Sequence, residues 1–91
     1  MNTDNQTNKK WEYNLVYTYQ EKSYTHSVVS PSQFAQNQYE VIAYGWLLED
    51  AERYGFNNED VLREVCLLET GEDGVRKPVW VKETYPIKYL R

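Results

Sequence analysis

The sequence predicts an α+β domain: an antiparallel sheet of about four strands, in the chain order ββαββ, packed on one long helix. Three observations carry this. Residues 11–20 alternate between bulky and mostly polar side chains, Val16 being the one apolar residue of the second set. A Ser-Pro pair and a Tyr-Gly-Phe triplet bracket a helix-length segment between residues 30 and 56. Two apolar runs near the C-terminus flank a Gly-Glu-Asp-Gly turn. With 91 residues the chain is long enough for one modest core and too short for two. Residues 1–10 are polar and without periodicity, so the reading is a disordered tail at 1–10 and a single domain over 11–91.

The first strand is the clearest. Trp11, Tyr13, Leu15, Tyr17 and Tyr19 alternate with Glu12, Asn14, Val16, Thr18 and Gln20, the period-two signature of a sheet with one buried face. Ser23–Val29, rich in β-branched and aromatic residues, is the second strand. A turn centred on Glu21-Lys22 pairs Tyr19 with Tyr24, Tyr17 with His26 and Leu15 with Val28. All six side chains then share one face. The polar opposite face of strand one makes the tyrosine face the buried one, with tyrosines at its rim left for contacts.

Ser30 is placed as helix N-cap, Pro31 as the first helical residue and Gln33 as the partner in a capping box. Gly55 fits a left-handed C-terminal cap, with Phe56 folding back. The expected helix therefore runs from Pro31 to Tyr54, roughly 36 Å at 1.5 Å per residue. Its middle, Val41-Ile42-Ala43-Tyr44-Gly45-Trp46-Leu47-Leu48, is apolar all round. A helix lying on a sheet needs only one apolar stripe, so a second cover is expected, either the C-terminal residues or another subunit. Gly45 costs about 1 kcal/mol relative to Ala in a helix and suggests close approach of another backbone.

Residues 57–70 admit either a capped helix or a strand. Repulsion between Asp60 and Glu64 at i, i+4 favours one helical turn near 58–62 followed by a strand from Arg63 to Thr70. Gly71–Gly74 is a turn, and Val79–Tyr85 is the last strand, bounded by Pro78 and Pro86.

The catalytic inventory is thin. His26 is the only histidine and Cys66 the only cysteine, and no local spacing supplies either with a partner. One Cys and one His fall short of a structural zinc site, no phosphate-binding glycine motif is present, and no cofactor is expected. A single cysteine, no apolar N-terminal segment and no apolar stretch near the ~18 residues of a membrane span suggest a cytoplasmic protein.

The net charge of −4 is unevenly spread. Residues 40–73 carry ten acids against Arg53 and Arg63, while residues 74–91 carry five bases against Glu83. Together these features predict a non-enzymatic regulator or adaptor working through protein contacts, with a separate partner or as a homodimer, and with Tyr44, Gly45, Trp46 and Leu48 as interface residues. The alternative is a nucleic-acid binder using Tyr17, Tyr19 and Tyr24 with Arg76, Lys77, Lys82 and Lys88, or an acidic mimic of DNA.

Overall fold

The structure, a computed structural model, describes residues 10–91. The tail expected over residues 1–10 lies, apart from Lys10, outside them. Four antiparallel strands, β1 (Trp11–Tyr19), β2 (Lys22–Ser30), β3 (Val61–Thr70) and β4 (Arg76–Pro86), form one sheet in the order β2-β1-β3-β4. The helix α1 (Gln36–Tyr54) lies between β2 and β3 in the chain, and a 3₁₀ turn (Ile87–Leu90) follows β4. This is the predicted ββαββ arrangement. Among the described residues no helix is long and apolar enough to cross a membrane.

The central strand β1 buries Tyr13, Leu15, Tyr17 and Tyr19, as its alternation requires. Its hairpin with β2 differs from expectation by two residues. Tyr17 lies opposite Tyr24, Leu15 opposite His26 and Tyr13 opposite Val28. The turn is Gln20-Glu21, both in the left-handed region at φ 51° and 68°. Two successive positive φ values give the turn the twist that a two-residue hairpin needs, despite the absence of Asn or Gly. A two-residue slip leaves every side chain on its expected face, because the pleat repeats every two residues.

The helix begins five residues later than Ser30-Pro31 suggests. The Ser30 hydroxyl is taken by a local turn, donating to the Ser32 carbonyl at 2.6 Å and accepting from the Ser32 N–H at 3.2 Å. Beyond it, Phe34 stacks on Tyr13 with ring centroids 4.1 Å apart, and its N–H donates to the Tyr13 hydroxyl at 2.8 Å. These bonds hold 30–35 out of the helix. The start is instead supported by Gln38, whose side chain accepts from the Ala35 N–H at 2.8 Å. The other end is as predicted: Gly55 sits at φ 66°, and the Phe56 N–H closes the last turn on the Ala51 carbonyl at 3.0 Å.

Strand β3 starts at Val61, two residues before Arg63, and the helical turn expected at 58–62 is a tight turn from Asn57 to Asp60. Glu64, at φ 54°, forms a bulge opposite Val16–Thr18. The extra residue explains how Leu62 and Val65, which differ in parity, both point into the core. Strand β4 is longer than predicted and includes Pro78, tolerated because β4 is an edge strand.

The buried faces of α1 and the sheet meet around Leu15, Leu47, Leu62 and Leu67. Where α1 ends, Tyr17, Tyr19, Tyr24, Tyr54 and Phe56 form an aromatic cluster. The second cover for the helix is partly the chain's own C-terminus. Ile87 and Leu90 are buried, and the Tyr44 hydroxyl donates to the Leu90 carbonyl at 3.1 Å.

Candidate functional site

Two carboxylates are buried inside this core, and both come from core-facing positions. Glu69 follows Val65 and Leu67 on the inner face of β3, and Asp50 follows Ala43 and Leu47 on the inner face of α1. Each is 1% exposed. A buried charge is tolerated only when hydrogen bonds replace the water it loses.

Glu69 is well provided. The Tyr13 and Tyr39 hydroxyls donate to its Oε2 at 2.9 and 2.6 Å. The Gln33 side-chain amide reaches Oε2 at 3.3 Å and Oε1 at 3.4 Å. Burial alone pushes this carboxyl up, but the donors Tyr39, Tyr13 and Gln33, with the charge of Lys77 across the strand, together hold it below its ordinary value. The phenols move the opposite way. Burial first, then the bond to Glu69 and its charge, pushes Tyr39 up to about 12. Tyr13 is also raised, chiefly by burial.

Asp50 is held differently. The Tyr17 hydroxyl donates to Oδ2 at 2.5 Å and the His26 Nε2–H donates to the same oxygen at 2.8 Å. Its Oδ1 is buried with no partner among the described residues. His26 stacks on Trp46, with centroids 5.2 Å apart and planes 9° apart. Burial, followed by the bond to Asp50 and its charge, drives the Tyr17 phenol far above its ordinary value.

A third carboxylate, Asp60, accepts from the Tyr19 hydroxyl at 2.9 Å, and Tyr19 in turn accepts from the Asn57 N–H at 3.1 Å. The three inner tyrosines of β1 thus bind the segment before the helix, the helix itself and the segment after it. Asp50 and Glu69 are the residues that sequence reasoning passed over. The available signal was an acid at a core-facing step of an otherwise apolar periodicity.

The sequence-predicted residues are scattered. Tyr17 and Tyr19 are inside the core, so neither presents a ring face to a nucleic-acid base. Tyr24 is half-buried against Tyr17, at 5.2 Å. Arg76, Lys77 and Lys82 are exposed on the edge strand β4, and Lys88 on the 3₁₀ turn that follows it. Cys66 lies on the outer face of the sheet between Val16 and Val81, whereas His26 lies on the inner face, so the two cannot cooperate. Burial raises the Cys66 thiol, with Arg76 opposing. Among the described residues no group of His, Cys, Asp or Glu is arranged to hold a metal.

The helix-centre residues divide by face. Trp46 turns toward β2 and His26, and Leu48 is half-buried. Val41 is 66% and Tyr44 38% exposed. Gly45 is exposed, and a Cβ placed on it meets nothing within 4 Å. The close backbone approach expected at Gly45 is therefore absent among the described residues. Tyr89 of the 3₁₀ turn, next in the chain to the Leu90 that Tyr44 bonds, is 65% exposed. No protein family matches the chain, and neither a curated protein nor a solved structure matches it significantly.

Proposed function

We infer that this chain is a non-enzymatic binding module that works through protein contacts, and that its first partner is a second copy of itself. The observation that carries this reading is the open crossing point on the outer side of α1. Gly45 is exposed there with no neighbour among the described residues over its Cα, with Val41 and Tyr44 exposed on the same helix and Tyr89 exposed on the 3₁₀ turn. An exposed apolar group of this kind, bordered by polar residues, suits an interface better than bulk solvent.

Charge placement supports a two-fold arrangement. Along the outer side of α1 the order is Gln38, Val41, Gly45, Glu49, Glu52, with both acids in the C-terminal half. An antiparallel crossing at Gly45 sets Glu52 against Gln38 and Glu49 against Val41, so no acid meets an acid. The missing side chain at Gly45 lets the two helices approach closely, and a two-fold contact uses the same patch on both chains. His26 supports the non-enzymatic side of the reading, since its Nε2 is bound to Asp50 and its ring is stacked on Trp46.

Sedimentation velocity between about 1 µM and 1 mM, where moderate interfaces reveal themselves, tests this directly. The wild-type chain is expected to shift toward dimer with concentration. Val41→Glu, at a position outside the core, is expected to remain monomeric with an unchanged fold. A wild-type chain that stays monomeric across the range removes the self-association.

A further inference from the structure

At the end of the sheet away from the aromatic cluster, a cavity of about 280 Å³ is lined by Trp11, Gln33, Glu69, Gly71, Glu72, Asp73, Val75 and Lys77. We propose that it receives the guanidinium of an arginine side chain from a partner polypeptide, held between the Trp11 ring and the buried Glu69 carboxylate.

The carboxylate is both buried and incompletely used. Tyr13 and Tyr39 donate to Oε2, while Oε1 receives only the 3.4 Å contact from Gln33. A carboxylate accepts about four hydrogen bonds through its two oxygens, so Oε1 retains acceptor capacity, and Glu69 is among the residues that line the cavity. The lining also holds an aromatic ring placed beside a glycine. A Cβ on Gly71 would lie 3.0 Å from Trp11 Cζ3, so the bare backbone is what lets the indole sit this close to the turn. Glu72 and Asp73 add negative charge at the rim, and Lys77 is the single cation among the lining residues. Its ammonium is within ion-pair distance of no carboxylate among the described residues.

The volume selects the ligand class. It is at the lower end of the ~300–1,000 Å³ of ordinary ligand pockets, enough for one polar side chain and too small for a nucleotide. A flat cation fits the combination better than an ammonium does. Guanidinium stacks on an indole face and spreads its five donors over more than one acceptor. A wider open depression lined by Phe34, Tyr39, Pro78 and Val79 shares Gln33 and Lys77 with the cavity, giving the rest of a peptide a surface to follow. This site is separate from the outer side of α1, so it stands whether or not the chain pairs with itself.

The test is an NMR titration of the full chain with N-acetyl-arginine amide, reading the Trp11 indole N–H and the Gly71 and Val75 amides. The uncharged isostere N-acetyl-citrulline amide and N-acetyl-lysine amide are run alongside. Saturable shifts confined to those groups are expected with the arginine probe, at a Kd of about 1–10 mM for so small a ligand. Glu69→Gln is expected to weaken binding about tenfold, the loss of one charge-assisted bond. Glu72→Gln, on the exposed rim, is expected to weaken it about twofold and serves if Glu69→Gln perturbs the fold. Equal shifts with citrulline, tighter binding of lysine, no saturable shift up to about 100 mM, or indifference to both substitutions overturns the proposal.

Discussion

Glu69 and Asp50 are equally buried and oppositely served. Glu69 gathers two phenols and an amide, whereas Asp50 has one phenol and one imidazole on a single oxygen and leaves the other bare. The first saturates one oxygen with two phenols and an amide and leaves acceptor capacity on the other. The second relies on a half-exposed histidine. Equal burial therefore does not mean equal dependence on charge.

Truncation should separate them most. Glu69→Ala strands the Tyr13, Tyr39 and Gln33 donors around a void and is expected to cost about 4 kcal/mol. Asp50→Ala strands Tyr17 alone, since His26 can turn to water, and is expected to cost about 2 kcal/mol. Urea unfolding followed by tryptophan fluorescence measures both, and equal losses would break the distinction.

The amide replacements are the sharper comparison. Glu69→Gln weakens three bonds to a charged acceptor and is expected to lose about 2 kcal/mol. Asp50→Asn keeps an acceptor for Tyr17 and His26 while removing a poorly compensated charge, so a change within about 1 kcal/mol is expected. A large loss for Asp50→Asn would show that the charge is needed.

The acid limb follows from Glu69. Its folded-state pKa lies below the ordinary value of 4.5, so its contribution is complete above that value and is lost as pH falls through the folded one. Urea midpoints measured from neutral pH down to about pH 3 are expected to fall less steeply in Glu69→Gln than in the wild type. The buried phenols set the alkaline limb. Tyr39, raised from 10.0 to about 12, contributes fully below 10 and loses that contribution as pH rises toward 12. Absorbance of phenolate across that window should follow unfolding.

The smallest effect lies outside both networks and calibrates them. Glu21, at φ 68° in the hairpin turn, is expected to gain about 1 kcal/mol on replacement by Gly, read from the same denaturation curves.

Much of this fold was legible because its signals are local. The alternation of β1, the Gly55 cap and the Gly71–Gly74 turn each depend on neighbours in the chain. What sequence reasoning missed depends on distant partners. The Ser30-Pro31 signal for a helix start lost to the bond and stack that Tyr13 makes with Phe34, and the alternation of β3 was masked by the bulge at Glu64. Asp50 and Glu69 fall at inward steps of their periodicities, yet nothing local says which donors will meet them. His26 had no carboxylate within local reach and acquired one only when β2 met α1.

The position of β1 at the centre of the sheet also has a kinetic meaning. It pairs with β2 through a two-residue turn, but its other neighbour, β3, arrives only after the whole helix, so that Leu15 meets Leu67. Both hairpins and α1 can form from local contacts. The β1–β3 seam closes a long loop before any of its hydrogen bonds are gained, and is therefore expected to set the rate-limiting step. Substitutions along that seam should slow refolding, while changes in the outer turns should chiefly alter the rate of unfolding.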